Sequence, residues 1–108
     1  MVPVTLLNGL TVEAKVDTGA ELCSLPADMI HGLSLEEANK LDRRKYATAA
    51  GTVEMDTYDT TLIVCGHSFR LLVAANAGQR SYIGMNLLNQ LVSHFDGPQL
   101  SAILTIHP

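Results

Sequence analysis

The sequence predicts one domain of mostly β structure with one or two short helices. Three observations support this fold class: short apolar segments are separated by turn residues, apolar and acidic residues alternate over positions 53–56, and helical spacing is limited to two brief stretches. The 108 residues suit a single domain spanning 1–108. A composition that is 47% hydrophobic but only 5% aromatic predicts a folded chain with an aliphatic core.

A hairpin is predicted at the start of the chain. Residues 2–7 and 10–16 are strand-like runs. Asn8-Gly9 between them is the dipeptide favoured by two-residue type I′ turns, whose two central positions need a positive φ. The next apolar run, ELCSLP, predicts a further short strand that ends at Pro26.

A short helix and a long hairpin are predicted for the middle of the chain. Ser34 and Glu37 have the spacing of a capping box, which predicts a helix over 35–41. The β-rich segment that follows indicates a hairpin arm with one solvated face and with Ala49-Ala50-Gly51 at its tip. Gly66 marks a second turn before the strand-like run HSFRLLVAA.

A second helix and a final hairpin are predicted near the end of the chain. Apolar residues recur at helical spacing over 85–91. Asp96-Gly97-Pro98 has the composition of a turn, so the runs VSHF and LSAILTI on either side are predicted to be the two strands of a hairpin.

Charge and hydropathy argue against two classes of partner. The formal net charge is −4, and the short basic run Arg43-Arg44-Lys45 is interpreted as a solvated loop, so we expect no nucleic-acid partner. No apolar run reaches the roughly 20 residues of a membrane helix, and the first ten residues lack the features of a signal peptide. We therefore expect a cytoplasmic protein without membrane insertion.

Neither the cysteines nor the histidines indicate a cofactor or a thiol enzyme. Cys23 and Cys65 lie in apolar segments and are expected to be reduced core residues, with a disulfide as the alternative. Apolar burial raises the pKa of a thiol, so a cysteine nucleophile is not expected. The four histidines, at positions 31, 67, 94 and 107, have no metal-like spacing and are interpreted as surface or packing residues. The acidic residues at 54, 56 and 59 are interpreted as a wet strand face rather than a calcium site.

One carboxylate has an unusual position at the end of an apolar strand. In KVDTGAELCSLP, Asp17 follows the strand and precedes Thr-Gly-Ala. A carboxylate removed from water costs free energy unless it is paired or used. Taken by itself, this position is also explained by a turn aspartate that caps the strand. The later run YIGMNLL, with two apolar residues, Gly84 and a helix start, favours a functional carboxylate instead.

These two motifs make the chain resemble the retropepsin-like aspartic proteases, which comprise the retroviral proteases and their cellular and bacterial relatives. The resemblance is carried by AKVDTGAELCSL at 14–25 and SYIGMNLLNQL at 81–91, and YDTTLIVCGHSF at 58–69 is similar to the strand after the family's flap. It covers about residues 2–95 and is nearest to the cellular and bacterial single-domain branch. It implies a closed acid-protease β-barrel that supplies half of an active site in a twofold dimer.

The implied reaction needs two carboxyl groups, one that acts as a base and one that acts as an acid. Held close together, they share one proton, because two like charges at that distance do not both ionise. The chain contains one Asp-Thr-Gly, so the second carboxyl group must come from another copy. The expected protein is a homodimeric aspartic endopeptidase in which Asp17 of each chain activates water to hydrolyse extended polypeptides. The alternative is a catalytically silent module of the same fold that dimerises or binds peptides.

The resemblance also implies roles for individual residues. Asp17 is the expected catalytic residue, and Thr18, Gly19 and Ala20 form the active-site loop, with the Thr18 hydroxyl bonded across the dimer. Glu21 occupies the position at which retroviral members carry an aspartate that contacts the substrate main chain. The expected substrate-binding residues are Gly19, Glu21, Ala49, Ala50, Gly51, Ile83 and Gly84.

Two features depart from the retroviral pattern. Met85 replaces the arginine that follows the second-motif glycine in retroviral members. The C-terminal segment is longer than a single strand, and as a hairpin it is expected to build part of the dimer interface. Its apolar residues would otherwise expose considerable surface: Leu100, Ile103, Leu104 and Ile106.

Overall fold

The computed structural model describes residues 1–48 and 51–104 and, within them, all side chains except those of residues 42, 47 and 48. These residues form seven strands: β1 (Val2–Thr5), β2 (Thr11–Val16), β3 (Cys23–Pro26), β4 (Ala38–Thr48), β5 (Gly51–Val64), β6 (His67–Asn76) and β7 (Ser81–Ile83). They also form three helices: α1 (Ala27–His31), α2 (Met85–His94) and α3 (Gly97–Ile103). The prediction of a mostly β fold is confirmed, although there are three helices where one or two were expected.

All the strands belong to one sheet, in the order β1-β2-β7-β3-β6-β5-β4. The β2–β7 and β3–β6 pairs are parallel and the other pairs are antiparallel. One further pairing, Thr5 with Ile63, connects β1 to β5. Pairing of β5 with β6 begins at Thr57. The described residues of β5 that precede Thr57 pair with β4 alone. This projecting part of the hairpin, residues 43–48 and 51–56, is called the β-arm below.

The core is formed by strand residues together with residues of α1 and α2, and it is aliphatic as expected. Burial of a large aliphatic side chain stabilises the fold by about 1.5–3 kcal/mol relative to exposure. The side chains that are no more than 2% exposed include Val2, Val4, Leu6, Leu25, Ile30, Leu62, Val64, Val73, Ile83, Leu87 and Leu91.

The first hairpin is confirmed, but its turn is not the predicted two-residue type I′ turn. Gly9 alone adopts a positive φ, of 89°, and its amide donates to the Leu6 carbonyl at 2.9 Å. The Leu6 amide in turn donates to the Leu10 carbonyl at 2.8 Å, while the Asn8 side chain accepts from the Leu10 amide at 3.0 Å. This pattern is a three-residue loop with a glycine bulge, which needs one positive φ rather than two.

The turn with two positive φ values lies instead between β5 and β6. Cys65 has a φ of 50° and Gly66 a φ of 79°, and the flanking Val64 and His67 are paired across the hairpin. The turn at Gly66 is therefore confirmed. A non-glycine residue with positive φ is uncommon, and Cys65 is exposed rather than in the core.

Replacing this cysteine is expected to stabilise the protein. Asparagine tolerates the left-handed conformation well and Asn-Gly is the preferred type I′ dipeptide, so Cys65→Asn should raise the free energy of unfolding by about 0.5–1 kcal/mol. Urea unfolding under reducing conditions measures the change. Cys65→Ser keeps the unfavourable φ and is the control, so equal stability of the two variants would contradict this explanation.

The predicted helix over 35–41 is wrong, although its capping box forms. The Ser34 amide donates to Glu37 Oε1 at 2.9 Å and the Glu37 amide donates to Ser34 Oγ at 3.2 Å. Only one turn results, because Ala38 pairs with Thr60 and β4 begins there. The Thr60 hydroxyl also donates to the Glu37 carbonyl at 2.6 Å. Sheet pairing thus stops the helix after a single turn.

The loop interpretation of Arg43-Arg44-Lys45 is also wrong, because these residues lie in β4, where Arg43 pairs with Asp56 and Lys45 with Glu54. They are nevertheless exposed, as expected. The alternating segment after them is confirmed as the second strand of a hairpin. The last pair between the two strands, next to the tip, is Thr48 with Gly51. The predicted tip residues Ala49 and Ala50 lie outside the described residues.

The predicted C-terminal hairpin is wrong, because most of the described residues of both proposed strands are helical. Helix α2 continues beyond the predicted 85–91 to His94, and α3 begins after Asp96. The Asp96 side chain caps α3 by accepting from the Gln99 amide at 3.0 Å, and Pro98 lies in the first turn. The apolar residues of α3 and its end, Leu100, Ile103 and Leu104, pack against the core at helical spacing. Ile106 lies outside the described residues.

Candidate active site

Asp17 is held at the end of β2 by backbone contacts on both sides. Its amide donates to the Ile83 carbonyl of β7 at 2.9 Å, which continues the parallel β2–β7 pairing by one residue. Its carboxylate accepts from the Gly19 amide at 3.0 Å, and its carbonyl accepts from the Ala20 amide at 3.2 Å. Asp17 through Gly19 are exposed in the single chain. The loop over residues 17–22, called the Asp17 loop below, therefore presents a fixed carboxylate at the surface.

The start of α2 supports the other end of the Asp17 loop. The Met85 amide donates to the Ala20 carbonyl at 2.8 Å, and the Asn86 amide donates to the Glu21 carbonyl at 2.9 Å. The first amides of a helix have no partner within the helix, so here they bind the loop instead. Gly84 lies so close to the loop that a Cβ atom there would overlap the Leu22 carbonyl group.

Asn86 ties three elements together behind the loop. Its side-chain oxygen accepts from the Cys23 amide of β3 and from the Leu87 amide, both at 3.0 Å. Its side-chain nitrogen donates to the Leu72 carbonyl of β6 at 2.8 Å. Asn86 lies within the second motif, but no role was predicted for it from the sequence. Its position between the apolar residues Met85 and Leu87 in the first turn of α2 was the signal for it.

Removing the Asn86 side chain is expected to destabilise the protein strongly. Asn86→Ala leaves the Cys23 amide and the Leu72 carbonyl without these partners, and an unsatisfied buried polar group costs about 1–3 kcal/mol. We expect a loss of about 2–4 kcal/mol in the free energy of unfolding, measured by chemical denaturation. Asn89→Ala, at an exposed position of the same helix, is the control, and equal losses in the two variants would contradict this role.

Both cysteines are free, which removes the disulfide alternative. Cys23 is fully buried, and its sulfur accepts from the Gly84 amide at 3.4 Å. Burial raises the pKa of the Cys23 thiol to about 11, and the amide contacts only partly oppose this effect. Cys23 is therefore protonated at neutral pH and acts as a packing residue, as expected. The core position predicted for Cys65 is wrong, because Cys65 is in the exposed turn.

A cleft of about 810 Å³ opens in front of Asp17, which is a volume typical of ligand sites. Its lining includes four residues of the predicted site: Asp17, Gly19, Ala20 and Glu21. Other lining residues were not predicted: Leu22, Ser24, Ala27, His31, Arg43, Tyr46, Val53, Glu54, Met55, Asp56, Ala74, Ala75, Asn76, Ala77 and Tyr82. Most of them come from elements distant in sequence, which no local motif brings together.

The other predicted site residues that the structure describes lie around the cleft rather than in its lining. Thr18 is exposed beside Asp17. Ile83 is buried and Gly84 packs beneath the Asp17 loop, so both support the loop from behind. Gly51 lies at the far end of the β-arm with a φ of 113°. Ala49 and Ala50 lie outside the described residues.

The β-arm forms the wall of the cleft that faces the Asp17 loop, and ion pairs connect its strands. Arg43 contacts Asp56 at 3.2 Å and Glu54 at 3.5 Å, and Lys40 contacts the other oxygen of Asp56 at 3.5 Å. Basic residues of β4 therefore form ion pairs with the acidic residues that were predicted to make a solvated face of this strand.

Farther along β5, Asp59 accepts two hydrogen bonds from Arg70, and this pairing holds the pKa of the Asp59 carboxyl below its usual range.

A group of aromatic and imidazole rings lies near the end of α2. His94 Nε2 and His67 Nδ1 are 3.0 Å apart, and both rings contact Phe95 edge to face. Phe69 packs against His94 from β6. These two histidines pack against other rings, as expected. Among residues 1–48 and 51–104, no group of three or more histidine, cysteine or acidic side chains could hold a metal ion.

Comparison with known proteins identifies the family. The family model described as gag-polyprotein putative aspartyl protease matches residues 4–90, which include both the Asp17 loop and the start of α2. No curated protein matches the chain. Within the described part of the chain, no helix has the length and apolar character to cross a membrane. The matched segment makes up most of the chain, and the chain therefore belongs to the retropepsin-like aspartyl protease family.

Proposed function

We propose that the protein is an aspartic endopeptidase that acts as a homodimer, with one Asp17 from each chain forming the catalytic pair. The observation that carries the proposal is the position of Asp17, exposed at a cleft of about 810 Å³ with its backbone fixed to β7. The chain has one Asp-Thr-Gly, so one chain supplies one carboxyl group of this kind. Membership of an aspartyl protease family supports hydrolysis as the reaction.

In the proposed dimer, the two Asp17 carboxyl groups share one proton. Close like charges do not both ionise, so the protonation states belong to the pair rather than to either residue. The ionised group acts as general base toward a bound water, and the protonated group acts as general acid toward the substrate carbonyl. The Gly19 amide hydrogen bond orients each carboxylate within its own chain.

Exposed residues of the Asp17 loop are suited to the dimer axis. Thr18 makes no hydrogen bond through its side chain within the described residues, which leaves its hydroxyl available to bond across the interface. Gly19 has no Cβ to obstruct a substrate main chain close to the carboxylates. The Thr5–Ile63 pairing supports closure of the sheet into a barrel, which would give each half-site a rigid base.

The cleft is suited to an extended peptide. One wall is the Asp17 loop and the other is the two-stranded β-arm, which would close over the substrate as a flap. Extended peptides bind such clefts through strand-like main-chain hydrogen bonds, with alternate side chains in pockets. Small residues in the lining, among them Ala27, Ala74 and Ala75, leave room for large apolar side chains.

Digestion of a peptide library tests the proposal. Cleavage is measured from about pH 3.5 to 7, a range chosen to include titration of a carboxyl pair, while sedimentation measures the dimer in the same buffers. We expect cleavage that is greater in acid than at neutral pH and a specific activity that rises with protein concentration until the dimer is saturated. A stable dimer without cleavage at any pH would favour the silent peptide-binding module instead.

A further inference from the structure

We propose that the carboxylate of Glu21 makes the cleft select substrates with a basic side chain. The inference rests on the proposed function, because it assigns a substrate class to the same cleft. Among the residues whose side chains the structure describes, the lining contains four carboxylates, of Asp17, Glu21, Glu54 and Asp56, but only one permanently charged cation, Arg43. A cleft with an excess of one charge concentrates ligands of the opposite charge.

Two of the four carboxylates already have cationic partners. Arg43 contacts both Glu54 and Asp56, and Lys40 contacts Asp56 from outside the cleft. Two positive groups thus balance the two acidic side chains of the β-arm. The β-arm adds little unbalanced charge to the cleft, and the excess is located on the opposite wall.

On that opposite wall, Asp17 and Glu21 carry the two remaining negative charges. Asp17 accepts a hydrogen bond from the Gly19 amide and is assigned to catalysis. The side chain of Glu21 is exposed and makes no hydrogen bond or ion pair within residues 1–48 and 51–104. Glu21 is therefore the lining carboxylate that is available to a substrate cation.

The backbone of Glu21 is fixed, which makes it suitable as a selective group. Its carbonyl accepts from the Asn86 amide at 2.9 Å, and the preceding Ala20 carbonyl accepts from the Met85 amide at 2.8 Å. A charged group on a rigid support loses less freedom when it binds a ligand. Two copies of Glu21 would face one substrate in the proposed dimer, so a basic residue should be favoured on both sides of the scissile bond.

Matched peptides test this selectivity. Lysine is compared with norleucine, its uncharged analogue, at each position around the scissile bond of a peptide that the protein cleaves. We expect kcat/KM to be about tenfold higher with lysine at one position on each side, as for a charge-assisted hydrogen bond. The preference should weaken at about 0.5 M salt, because salt screens exposed charges.

Charge variants assign the preference to Glu21. Glu21→Gln should remove it and Glu21→Lys should favour glutamate at the same positions, whereas Glu13→Gln, at an exposed position of β2 outside the cleft, should keep it. An unchanged lysine preference in Glu21→Gln would overturn the inference. Equal kcat/KM values for lysine and norleucine in the wild type at every position would also overturn it.

Peptide binding separates failure of the selectivity from failure of the proposed catalysis. Fluorescence anisotropy measures the affinity of labelled lysine and norleucine peptides for the Asp17→Asn protein, which we expect to bind substrate without cleaving it. Glu21-dependent preference for lysine in binding, with no cleavage by the wild type, would support charge selection and reject the protease. Asp17-dependent cleavage without any lysine preference would support the protease and reject charge selection. Absence of both cleavage and lysine-selective binding would reject both.

Discussion

Asp17→Asn is expected to reduce peptide cleavage by at least about 10³-fold while leaving the fold intact. Asparagine cannot accept a proton from water or donate one as a carboxylic acid, and acid–base groups of this kind contribute about 10²–10⁴-fold each. In the proposed pair, both functions depend on the same two residues, so both fail together. The measurement is kcat/KM on a peptide that the wild type cleaves.

The variant should fold and dimerise because asparagine keeps the local hydrogen bond. Its side-chain oxygen can still accept from the Gly19 amide, as Asp17 does at 3.0 Å. Loss of the paired charges also removes a repulsion across the axis, so the dimer should be at least as stable as that of the wild type. Asp28→Asn, at an exposed position of α1 outside the cleft, is the control and should retain full activity. Undiminished cleavage by Asp17→Asn would reject Asp17 as the catalytic group.

Gly84→Ala is expected to lower the free energy of unfolding by about 3 kcal/mol, because the added methyl group meets backbone rather than a movable side chain. Its Cβ would overlap the Leu22 carbonyl group and lie 2.8 Å from the Cys23 nitrogen. The φ of Gly84 is −89°, so the requirement for glycine is one of space and not of conformation. Chemical denaturation measures the loss.

Cleavage should also fall in this variant, because Gly84 is directly beneath the Asp17 loop. Displacing Leu22 would strain the hydrogen bonds from Met85 and Asn86 that fix the loop. Gly97→Ala is the control, since a Cβ there meets nothing within 4 Å and its φ is not positive. We expect that control to be neutral or slightly stabilising. Similar stability of the two variants would contradict the close packing at Gly84.

The elements predicted correctly are those whose signals are local. The first hairpin, β3, the part of the β4–β5 hairpin beyond Lys45 and the start of α2 each follow from apolar spacing and a nearby turn residue. The Asp17 loop was found because its motif is short and continuous. The same local reasoning located Gly84, although the physical reason for glycine there, the contact with Leu22, comes from a segment about sixty residues away.

The errors arose where one local pattern allows two structures. Ser34 and Glu37 do form a capping box, but Ala38 pairs with Thr60 of β5 and the chain continues as a strand. Asp96-Gly97-Pro98 is a turn by composition and equally an N-cap followed by proline in a first helical turn. The spacing of Leu100, Ile103 and Leu104 would have favoured the helix, because i, i+3 and i+4 positions share one helical face.

The cleft could be predicted only in part, because its walls are assembled by tertiary contacts. Arg43 and Glu54 reach the lining through the cross-strand geometry of the β-arm, and Ala74 reaches it from β6. A single sequence contains no local signal that those positions face Asp17. The role of Asn86 could be suspected, but its three partners lie on separate strands and helices.

Mixing wild-type and Asp17→Asn chains tests the central claim most directly, because it asks whether one site needs Asp17 from two chains. The two proteins are equilibrated at a fixed total concentration above the dimer dissociation constant, and cleavage is measured as the wild-type fraction is lowered. If only dimers with two intact copies are active, activity falls as the square of that fraction, to about a quarter in an equal mixture. Activity of about half in the equal mixture, falling in direct proportion to the wild-type fraction, would contradict a shared active site.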